Sequence, residues 1–522
     1  MIQLTTPFRI FILMLGFVCW HSLAKAEAPS NEELYRMLLT TQQELAELRE
    51  RTNQAEAEAS KAKAEASKAK AELADFRQQI QSTEMGRESA TAEATESLVG
   101  TNAEYSYTVL DHTRDTNTKQ LRQLEALRDG ELKNRLTIGG NINVIANYQK
   151  SNRDSKFGWL MRHPTSANQF GNEVSEAVIH SVNLQFTGRL TDRLTAYSEL
   201  LYNPEQNFAS GSTITGLPRN NINMRRAYVL YGDLNASPYY ASIGKMDIPF
   251  GLNDTVSPFT NSTNWHSFAG LAYGAMLGYS QDDWHIRAMA VQGGAQFRNA
   301  NANVHETSVP SKLNNFAVDL NRSFAFADGS SLLAGLSYQH GSAYCQEYEI
   351  LPPGVRGGGG VQHFGSCEED NPAVAGYLKY DRDKLQVIAE YAQTLKDWPG
   401  THNPFIPQFE AEKNTTFTLG TSYDFDFGLE SDVTLSFEFS RFIAGDDGSP
   451  WEKQDQFVLG AAYMLAPNVK VFSEAVHAKG WVPLNFLSGG NPGSDGFAIN
   501  DESWSDQDAT TTAIVFGLSA AY

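Results

Sequence analysis

The long C-terminal part of the chain alternates apolar with polar or small residues at a period of two, which predicts β-strands rather than helices. In the second such segment, one face is predicted to hold Val178, His180 and Val182, and the other Ser181 and Asn183. Because side chains of a strand point alternately to its two faces, each segment is predicted to separate two different environments.

Sixteen segments of this kind can be counted. Their predicted starts are near residues 136, 176, 194, 223, 239, 272, 284, 314, 330, 372, 385, 414, 432, 456, 469 and 510. Short connections such as 280–283 and 381–384 alternate with long ones such as 247–270 and 341–371. An even number of alternating strands, with short turns at one end and long loops at the other, is typical of outer-membrane β-barrels. The predicted fold class is therefore an all-β transmembrane barrel of about sixteen antiparallel strands, over residues 135–522.

A barrel this wide has a water-filled interior, so its polar face is predicted to line the lumen and its apolar face to meet lipid. The charged residues of the polar face are the predicted pore-lining groups. They are Arg189, Glu199, His285, Arg287, Asp319, Lys379, Glu390, Glu438, Lys470 and Glu474. Aromatic residues near strand ends are predicted to form the girdles at the two membrane interfaces. They are Tyr228, Tyr231, Tyr239, Tyr240, Tyr279, Trp284, Tyr338, Tyr380, Tyr391 and Tyr423.

The two ends of the chain indicate the cellular location of the barrel. Residues 1–26 combine Arg9, an apolar run and Ala24-Lys25-Ala26, which predicts a secretory signal peptide cleaved after Ala26. The last strand, ATTTAIVFGLSAAY, alternates and stops on an aromatic residue, Tyr522. That ending resembles the C-terminal strand of bacterial outer-membrane barrels, so the predicted location is the outer membrane, with the N-terminal part in the periplasm.

Residues 27–81 are predicted to form a periplasmic coiled-coil stalk. A capping box begins at Ser30, and two seam positions repeat every seven residues. Five pairs, with the second residue five positions after the first, are opposite in charge: Glu44–Arg49, Arg51–Glu56, Glu58–Lys63, Glu65–Lys70 and Glu72–Arg77. That pattern favours a parallel arrangement, and porin architecture favours three strands, although the alanine-rich seam does not choose between two and three.

Residues 82–134 are predicted to be a linker with a short amphipathic helix near 115–128, carrying Leu121, Leu124 and Leu127. The sequence leaves open whether this helix sits at the periplasmic mouth or enters the lumen.

Charge and cysteine content narrow the function further. The net charge of −20 becomes −22 once Arg9 and Lys25 are removed, which argues against a nucleic-acid partner. After export, Cys345 and Cys367 are left, and we expect them to form a disulfide across the loop 341–371. Acidic loop clusters at 368–370, 446–447 and 501–508 could hold calcium or bridge lipopolysaccharide, but solvated loops are the favoured interpretation. No metal or other cofactor is predicted.

No catalytic motif is found, and the histidines are scattered over different strands and loops. The chain is therefore predicted not to be an enzyme, and no catalytic residue is assigned. A plugged transporter of about twenty-two strands and a trimeric adhesin with few strands per chain fit the strand count less well than a porin.

The segment AYVLYGDLNASPYYASIGKMDIPFG (227–251), together with LRDGELKNRLTIGGNINV entering the first strand, resembles the LbtU-type siderophore porins. The predicted order of coiled coil and barrel is also similar to that of the DcaP-type trimeric porins. The resemblance implies a lumen without a plug domain that passes ferric-siderophore complexes or other small solutes. It also implies a homotrimer in contact with outer-membrane lipid and lipopolysaccharide. The alternative is a general or substrate-selective trimeric porin for small organic or carbohydrate solutes, with no role in iron uptake.

Overall fold

The computed structural model describes residues 98–522, except for 165–170, 203–221, 294–295, 298–299, 302–311, 346–368, 404–405, 489–502 and 504. The predicted signal peptide (1–26), the predicted coiled coil (27–81) and the first part of the predicted linker lie outside the described residues. Within the described part of the chain, no helix is long and apolar enough to cross a bilayer.

Sixteen antiparallel strands form one closed sheet. They are β1 Leu136–Ser151, β2 Glu173–Arg189, β3 Leu194–Tyr202, β4 Ile222–Gly232, β5 Tyr239–Asp247, β6 Leu271–Gln281, β7 Trp284–Val291, β8 Asn315–Ala325, β9 Ser331–Gln339, β10 Ala373–Arg382, β11 Leu385–Thr394, β12 Thr415–Phe425, β13 Val433–Ile443, β14 Lys453–Ala466, β15 Val469–Trp481 and β16 Asp506–Ala521. Each strand pairs with its neighbours in sequence, and β16 pairs with β1, which closes the barrel. This confirms the sixteen predicted strands, each of which begins within four residues of its predicted start.

Four helices lie in the described connections: α1 Ala103–Leu110, α2 Lys119–Arg128, α3 Thr263–Phe268 and α4 Pro483–Leu487. Three shorter elements accompany them. A two-residue strand, Val99–Gly100, pairs in parallel with the start of β1, and a two-residue hairpin joins Gln296–Phe297 to Ala300–Asn301. A single 3-10 turn spans Pro399–Thr401.

Both termini of the barrel lie at the end where the tight turns are found. Tyr522 and Gly140 exchange two backbone hydrogen bonds of 3.0 and 3.1 Å at this end. The turn between β6 and β7 consists of Asp282 and Asp283, with φ of 52° and 66°, a left-handed backbone that tight hairpin turns require. Segment 98–134 enters β1 from the same end.

The outer face of the barrel carries an apolar belt. Leu277 and Leu336 are each 68% exposed, Ile243 64%, Leu459 61% and Phe516 60%. So much exposed leucine and phenylalanine on every side is unfavourable in water and is the expected surface against lipid.

Two of the tyrosines predicted to lie in the girdles point into the barrel instead of toward the membrane. Tyr228 and Tyr240 are buried inside the barrel, because their hydroxyl groups find partners there. The Tyr228 hydroxyl donates to Gln123 Oε1 at 3.1 Å, and the Tyr240 hydroxyl lies 2.7 Å from His285 Nε2. The prediction that they belong to the girdles was wrong.

A β-bulge on β2 changes which of its residues face inward. On β2, the pairing with β1 skips His180, so that both His180 and Ser181 point into the barrel. The extra residue reverses the alternation, since a shift of one residue exchanges the two faces. Val178 therefore packs with buried residues of the interior, and the prediction that Val178, His180 and Val182 share one face was wrong.

The apolar belt gives a stability prediction. Leu336→Arg, at the middle of β9, should destabilise the barrel in a bilayer by about 2–4 kcal/mol, because an arginine facing the hydrocarbon core loses its hydration. Denaturant titration of the protein in lipid vesicles measures this. The matched control is Leu429→Arg, since Leu429 is equally apolar and 56% exposed but lies in the connection between β12 and β13. Equal stability of the two variants would contradict a lipid-facing belt at β9.

Candidate functional site in the barrel lumen

The connection 248–270, between β5 and β6, folds into the barrel instead of covering it. Its base is closed by the Ile248 amide, which donates to the Gly270 carbonyl at 2.9 Å. Nearly all its residues are buried, including polar ones such as Asn261 and Asn264 at 0% exposure. We call residues 248–270 the inner loop.

Three glutamates on the barrel wall hold the backbone of the inner loop. Glu390 on β11 accepts hydrogen bonds from the amides of Leu252 and Asn253, at 2.8 and 2.9 Å. Two strands further on, Glu438 on β13 accepts from the Thr255 hydroxyl at 2.6 Å and the Val256 amide at 3.2 Å.

Glu474 on β15 completes the series. It accepts from the amides of Phe259 and Thr260, at 2.8 and 3.0 Å, and from the Thr260 hydroxyl. Neighbouring strands are about 4.8 Å apart, so every second strand is about 10 Å away, which three or four residues of extended chain can span. The inner loop therefore runs across the strands along the inner wall, from β11 to β15.

Gly251 is required where the inner loop first meets the wall. Its φ is +70°, and a Cβ atom there would lie 2.3 Å from Glu390 Oε1. Any other residue would combine a left-handed backbone with a clash against the first anchoring carboxylate.

The aromatic side chain of Phe259 fixes the inner loop where it meets β15. Phe259 stacks on Phe472 with ring centroids 5.1 Å apart, and it meets His180 edge-on at 4.7 Å. Lys470 Nζ donates to the Pro258 carbonyl at 2.8 Å. The bulge on β2 thus supplies one of the rings that enclose Phe259.

Segment 102–131, which we call the N-terminal segment, also lies inside the barrel. In α1, the Tyr105 hydroxyl lies 3.2 Å from Thr187 Oγ1 on β2. In α2, Gln123 donates to Thr195 Oγ1 on β3 at 2.8 Å. The helix in the region predicted near 115–128 is therefore α2, and it enters the lumen. The resemblance implied a lumen without a plug, but the described residues show two segments that occupy part of it.

A polar seam joins the N-terminal segment to the inner loop. His112 Nε2 donates to the Phe259 carbonyl at 2.9 Å, and the Thr255 amide donates to the Thr113 carbonyl at 2.9 Å. Thr116 Oγ1 donates to the Asn253 carbonyl at 3.0 Å. The two segments, one from each end of the barrel, thus make direct contact inside it.

The structure places the ten predicted pore-lining residues in contacts with these segments, with residues next to them or with other side chains of the barrel interior. Glu390, Glu438, Lys470 and Glu474 bind the inner loop, as described above. Arg189, at the end of β2, donates to the carbonyls of Leu132 and Lys133 at 3.3 and 3.2 Å, next to the N-terminal segment.

The remaining predicted residues form pairs. Arg287 Nη2 donates to Asp319 Oδ2 at 2.8 Å, and a second nitrogen of the same guanidinium donates to the Asn117 carbonyl. Lys379 lies 3.4 Å from Asp254 of the inner loop. Glu199 accepts from Arg226 at 2.7 Å, and His285 contacts Tyr240 as noted. Whether any of the ten lines a solute path is not tested by these contacts and stays a prediction.

The strand pattern did not reveal several charged residues of the lumen. Arg226 makes two hydrogen bonds to Asp247, of 2.6 and 2.7 Å, besides its pair with Glu199. Arg225 is the extra residue of a second bulge, on β4, and its guanidinium lies 3.8 Å from Glu199. The adjacent pair Arg225-Arg226 was a usable signal, since two neighbouring arginines in a strand can share a face only at a bulge.

A polar cavity of about 420 Å³ remains between the N-terminal segment and the wall from β6 to β10. Its charged lining residues are Asp115, Arg122, Glu125, Arg128, Asp254, Asp282, Asp283, His285, Arg287 and Lys379. All the arginines and the lysine are ion-paired: Arg122 with Glu131, Arg128 with Asp129, Arg287 with Asp319 and Lys379 with Asp254. Within the described chain, Asp115, Glu125, Asp282 and Asp283 make no ion pair, so the cavity carries an excess of negative charge.

Cys345 is disulfide-bonded. Its predicted partner, Cys367, lies outside the described residues, and so do parts of two acidic loops, 368 and 501–502. Within the described residues, no three His, Cys, Asp or Glu side chains are grouped in a way that could hold a metal ion.

A closed barrel of sixteen strands, apolar outside and polar inside, with a loop folded along its inner wall, has the architecture of outer-membrane porins. No family model matches the chain, and no curated protein matches it in sequence. Solved porins do match in structure. An anion-selective porin from Comamonas acidovorans is 11% identical, over 74% of this chain and 99% of that one, with a TM-score of 0.43.

The outer membrane channel DcaP of Acinetobacter baumannii is 13% identical, over 74% of this chain and 97% of that one, with a TM-score of 0.43. OmpF of Salmonella typhi, in complex with daunomycin, is 13% identical over the same shares, with a TM-score of 0.41. At TM-scores this low, these similarities carry no argument about function. The argument about function rests on the strand pairing and the contacts inside this barrel.

The anchoring of the inner loop can be tested at Glu474. Glu474→Ala leaves the amides of Phe259 and Thr260 and the Thr260 hydroxyl without their acceptor, and each buried unpaired donor costs about 1–3 kcal/mol. We expect amide hydrogen exchange at 259–260 to become at least roughly tenfold faster. The control is Glu430→Ala, in the exposed connection between β12 and β13. Unchanged exchange in Glu474→Ala would show that the carboxylate does not hold the loop.

We expect acidification to weaken the contact between the N-terminal segment and the inner loop, because His112 becomes protonated. Burial lowers the pKa of His112 to about 4, although Asp111 beside it acts in the opposite direction. Between the ordinary pKa near 6.5 and about 4, an undocked His112 binds a proton that the docked one does not, so docking is full at neutral pH and weakens as the pH falls. Since one pKa unit is a factor of ten, we expect roughly tenfold or greater loss of exchange protection in 103–118 between pH 7 and 4.5.

Other charged groups face His112, so a control is needed. Lys470, Arg225 and Asp111 act on it electrostatically, and burial raises the pKa of Asp254 across the seam, which favours docking as the pH falls. His112→Gln keeps a donor for the Phe259 carbonyl but cannot titrate. An equal acid response in this variant would mean that a different group is responsible.

Proposed function

We propose that this chain is an outer-membrane porin that lets small solutes pass without an energy source. The observation that carries the proposal is the closed barrel of sixteen strands with an apolar outer belt and a polar interior. Lipid is the only solvent that suits that outer face, and a closed sheet satisfies its backbone hydrogen bonds there.

The solute path is proposed to include the cavity beside β6 to β10. On the other side of the lumen, the walls of β2, β3 and β4 are in contact with the N-terminal segment. The cavity opens toward the tight turn at Asp282 and Asp283, at the end that we assign to the periplasm.

The cargo is proposed as a small organic or inorganic solute, with a ferric-siderophore complex as the second candidate. The second rests on the resemblance of residues 227–251 to LbtU-type siderophore porins. The first is favoured by size, because about 420 Å³ is near the lower end of the roughly 300–1,000 Å³ that holds drug-sized ligands.

We further propose that the barrel is a homo-oligomer, with three copies favoured, embedded in outer-membrane lipid and lipopolysaccharide. The heptad pattern of 27–81 supports an oligomer, and porin architecture favours three copies over two. Native mass spectrometry of the full-length protein in detergent gives the number of copies directly, and a monomer would contradict the proposal.

The experiment that tests the function is single-channel recording of the full-length protein in planar bilayers. Discrete conductance steps are expected, and a permeating solute should cause brief blocks of the current. Ferric-siderophore complexes and small organic acids or sugars are added in separate experiments, so that the cargo candidates are compared on one channel. Correctly inserted protein without conductance steps would contradict a porin.

The charge excess of the cavity predicts a preference for cations, since rings of carboxylates favour cation passage. In Asp282→Asn/Asp283→Asn the ratio of cation to anion permeability should fall roughly twofold or more, because two unpaired charges are removed within a Debye length of the path. Reversal potentials in a salt gradient measure the ratio. Asparagine also tolerates the left-handed backbone of this turn.

The matched control is Asp383→Asn. Asp383 also has a left-handed backbone, with φ of 49°, in the turn between β10 and β11, but it does not line the cavity. If both variants change the reversal potential equally, the cavity does not set the selectivity.

A further inference from the structure

The contact between the N-terminal segment and the barrel wall is both apolar and polar, since Val109, Leu110 and Leu124 belong to a buried apolar cluster that also contains Leu230 and Tyr240 of the wall. Tyr105 bonds to Thr187, and Gln123 bonds to Thr195 and Tyr228, through single hydrogen bonds between uncharged groups. A charged wall residue, Arg287, donates to the Asn117 carbonyl. Apolar contacts exist, for example at Leu124, but much of the contact is made by hydroxyl and amide groups that water could satisfy equally well.

Two side-chain amides at this contact are buried with a nitrogen that has no partner in the described part of the chain. Gln120 Nε2 on α2 and Gln185 Nε2 on β2 have no hydrogen-bond partner among the described residues. An unpaired buried amide loses its hydration without a compensating bond, so it raises the free energy of the docked arrangement. The same amides would be hydrated if the segment moved away.

A buried lysine adds to this cost. Lys119 is 1% exposed, and its ammonium donates to the carbonyls of Asp111 and Arg114 at 2.9 and 3.2 Å. It makes no ion pair within the described part of the chain. A buried ammonium held only by carbonyls is less stable than one in water, and burial accordingly lowers the pKa of Lys119.

The inner loop is held differently. Each of three wall glutamates binds two or three donors of the inner loop, whereas the N-terminal segment meets β2 to β4 through single hydrogen bonds. The two segments inside the barrel therefore differ in how firmly they are attached, although both are buried.

We propose that the N-terminal segment (102–131) is a displaceable plug, which leaves the wall of β2 to β4 and the seam with the inner loop, and so opens a wider path. The chain supplies a pivot, because Gly130 has φ of +73° and open space around it, between α2 and β1. The inner loop stays in place when the plug moves. The wider path rests on the proposed porin function, but the displacement itself does not.

The first test reads displacement without any channel measurement. Ser106 on α1 and Ser267 on α3 are 0% and 1% exposed, respectively. In full-length protein in lipid vesicles, Ser106→Cys should react with a water-soluble maleimide at least tenfold faster than Ser267→Cys, which lies on the inner loop. Equal rates, or no labelling of either cysteine before denaturation, would overturn the plug.

The second test locks the plug. A Cβ atom built on Gly139 would lie 2.8 Å from Ser106 Cβ, so a shift of about 1 Å gives the separation of a disulfide. In Ser106→Cys/Gly139→Cys, oxidation should cut the frequency of large-conductance openings at least tenfold, and reductant should restore it. Ser106→Cys alone controls for the substitution, and the unmodified protein with reductant controls for the disulfide at Cys345.

A third variant acts without a cross-link. Gln120→Leu removes a buried amide nitrogen that has no partner among the described residues, so it should favour the docked state and make the openings rarer. Openings that are unaffected by both the lock and this substitution would overturn the plug while leaving the porin intact. Rapid labelling of Ser106→Cys in a protein that never conducts would show that the N-terminal segment moves, while contradicting the proposed porin function.

Discussion

The arrangement inside the barrel depends on one constraint, the need of buried backbone amides for acceptors. The inner loop has no strand pairing between 249 and 262, so its amides need acceptors other than a neighbouring strand. Glu390, Glu438 and Glu474 supply the acceptors, at intervals of two strands that match the spacing of the amides. The position of the loop across the lumen follows from that match.

This use of the carboxylates changes which charges a solute would meet. Three of the acidic residues expected to line a pore are buried under the inner loop, and Asp319 and Glu199 are paired with arginines. Among the described residues that line the cavity, the acidic ones without an ion pair are Asp115, Glu125, Asp282 and Asp283. The electrostatics of the path are therefore determined by turns and by the N-terminal segment more than by the strands.

The sequence was sufficient to predict the barrel but not its contents. A period of two repeated over sixteen segments depends only on local alternation, and it located every strand. The inward fold of the inner loop depends on partners such as Glu390 and Glu474, which are 138 and 215 residues away from the amides they bind. The bulge at His180 is equally hidden, because a bulge is defined by the pairing with the neighbouring strand, whereas the bulge at Arg225 left a signal in the adjacent pair Arg225-Arg226.

The two segments inside the barrel also differ in how their contacts respond to change. The bonds of the inner loop end on glutamates of three strands, so the loop can leave only if several buried donors lose their acceptors together. The N-terminal segment meets β2 to β4 through single hydrogen bonds, and its seam includes His112, whose protonation disfavours docking. If either segment moves while the barrel stays intact, the N-terminal segment should move first.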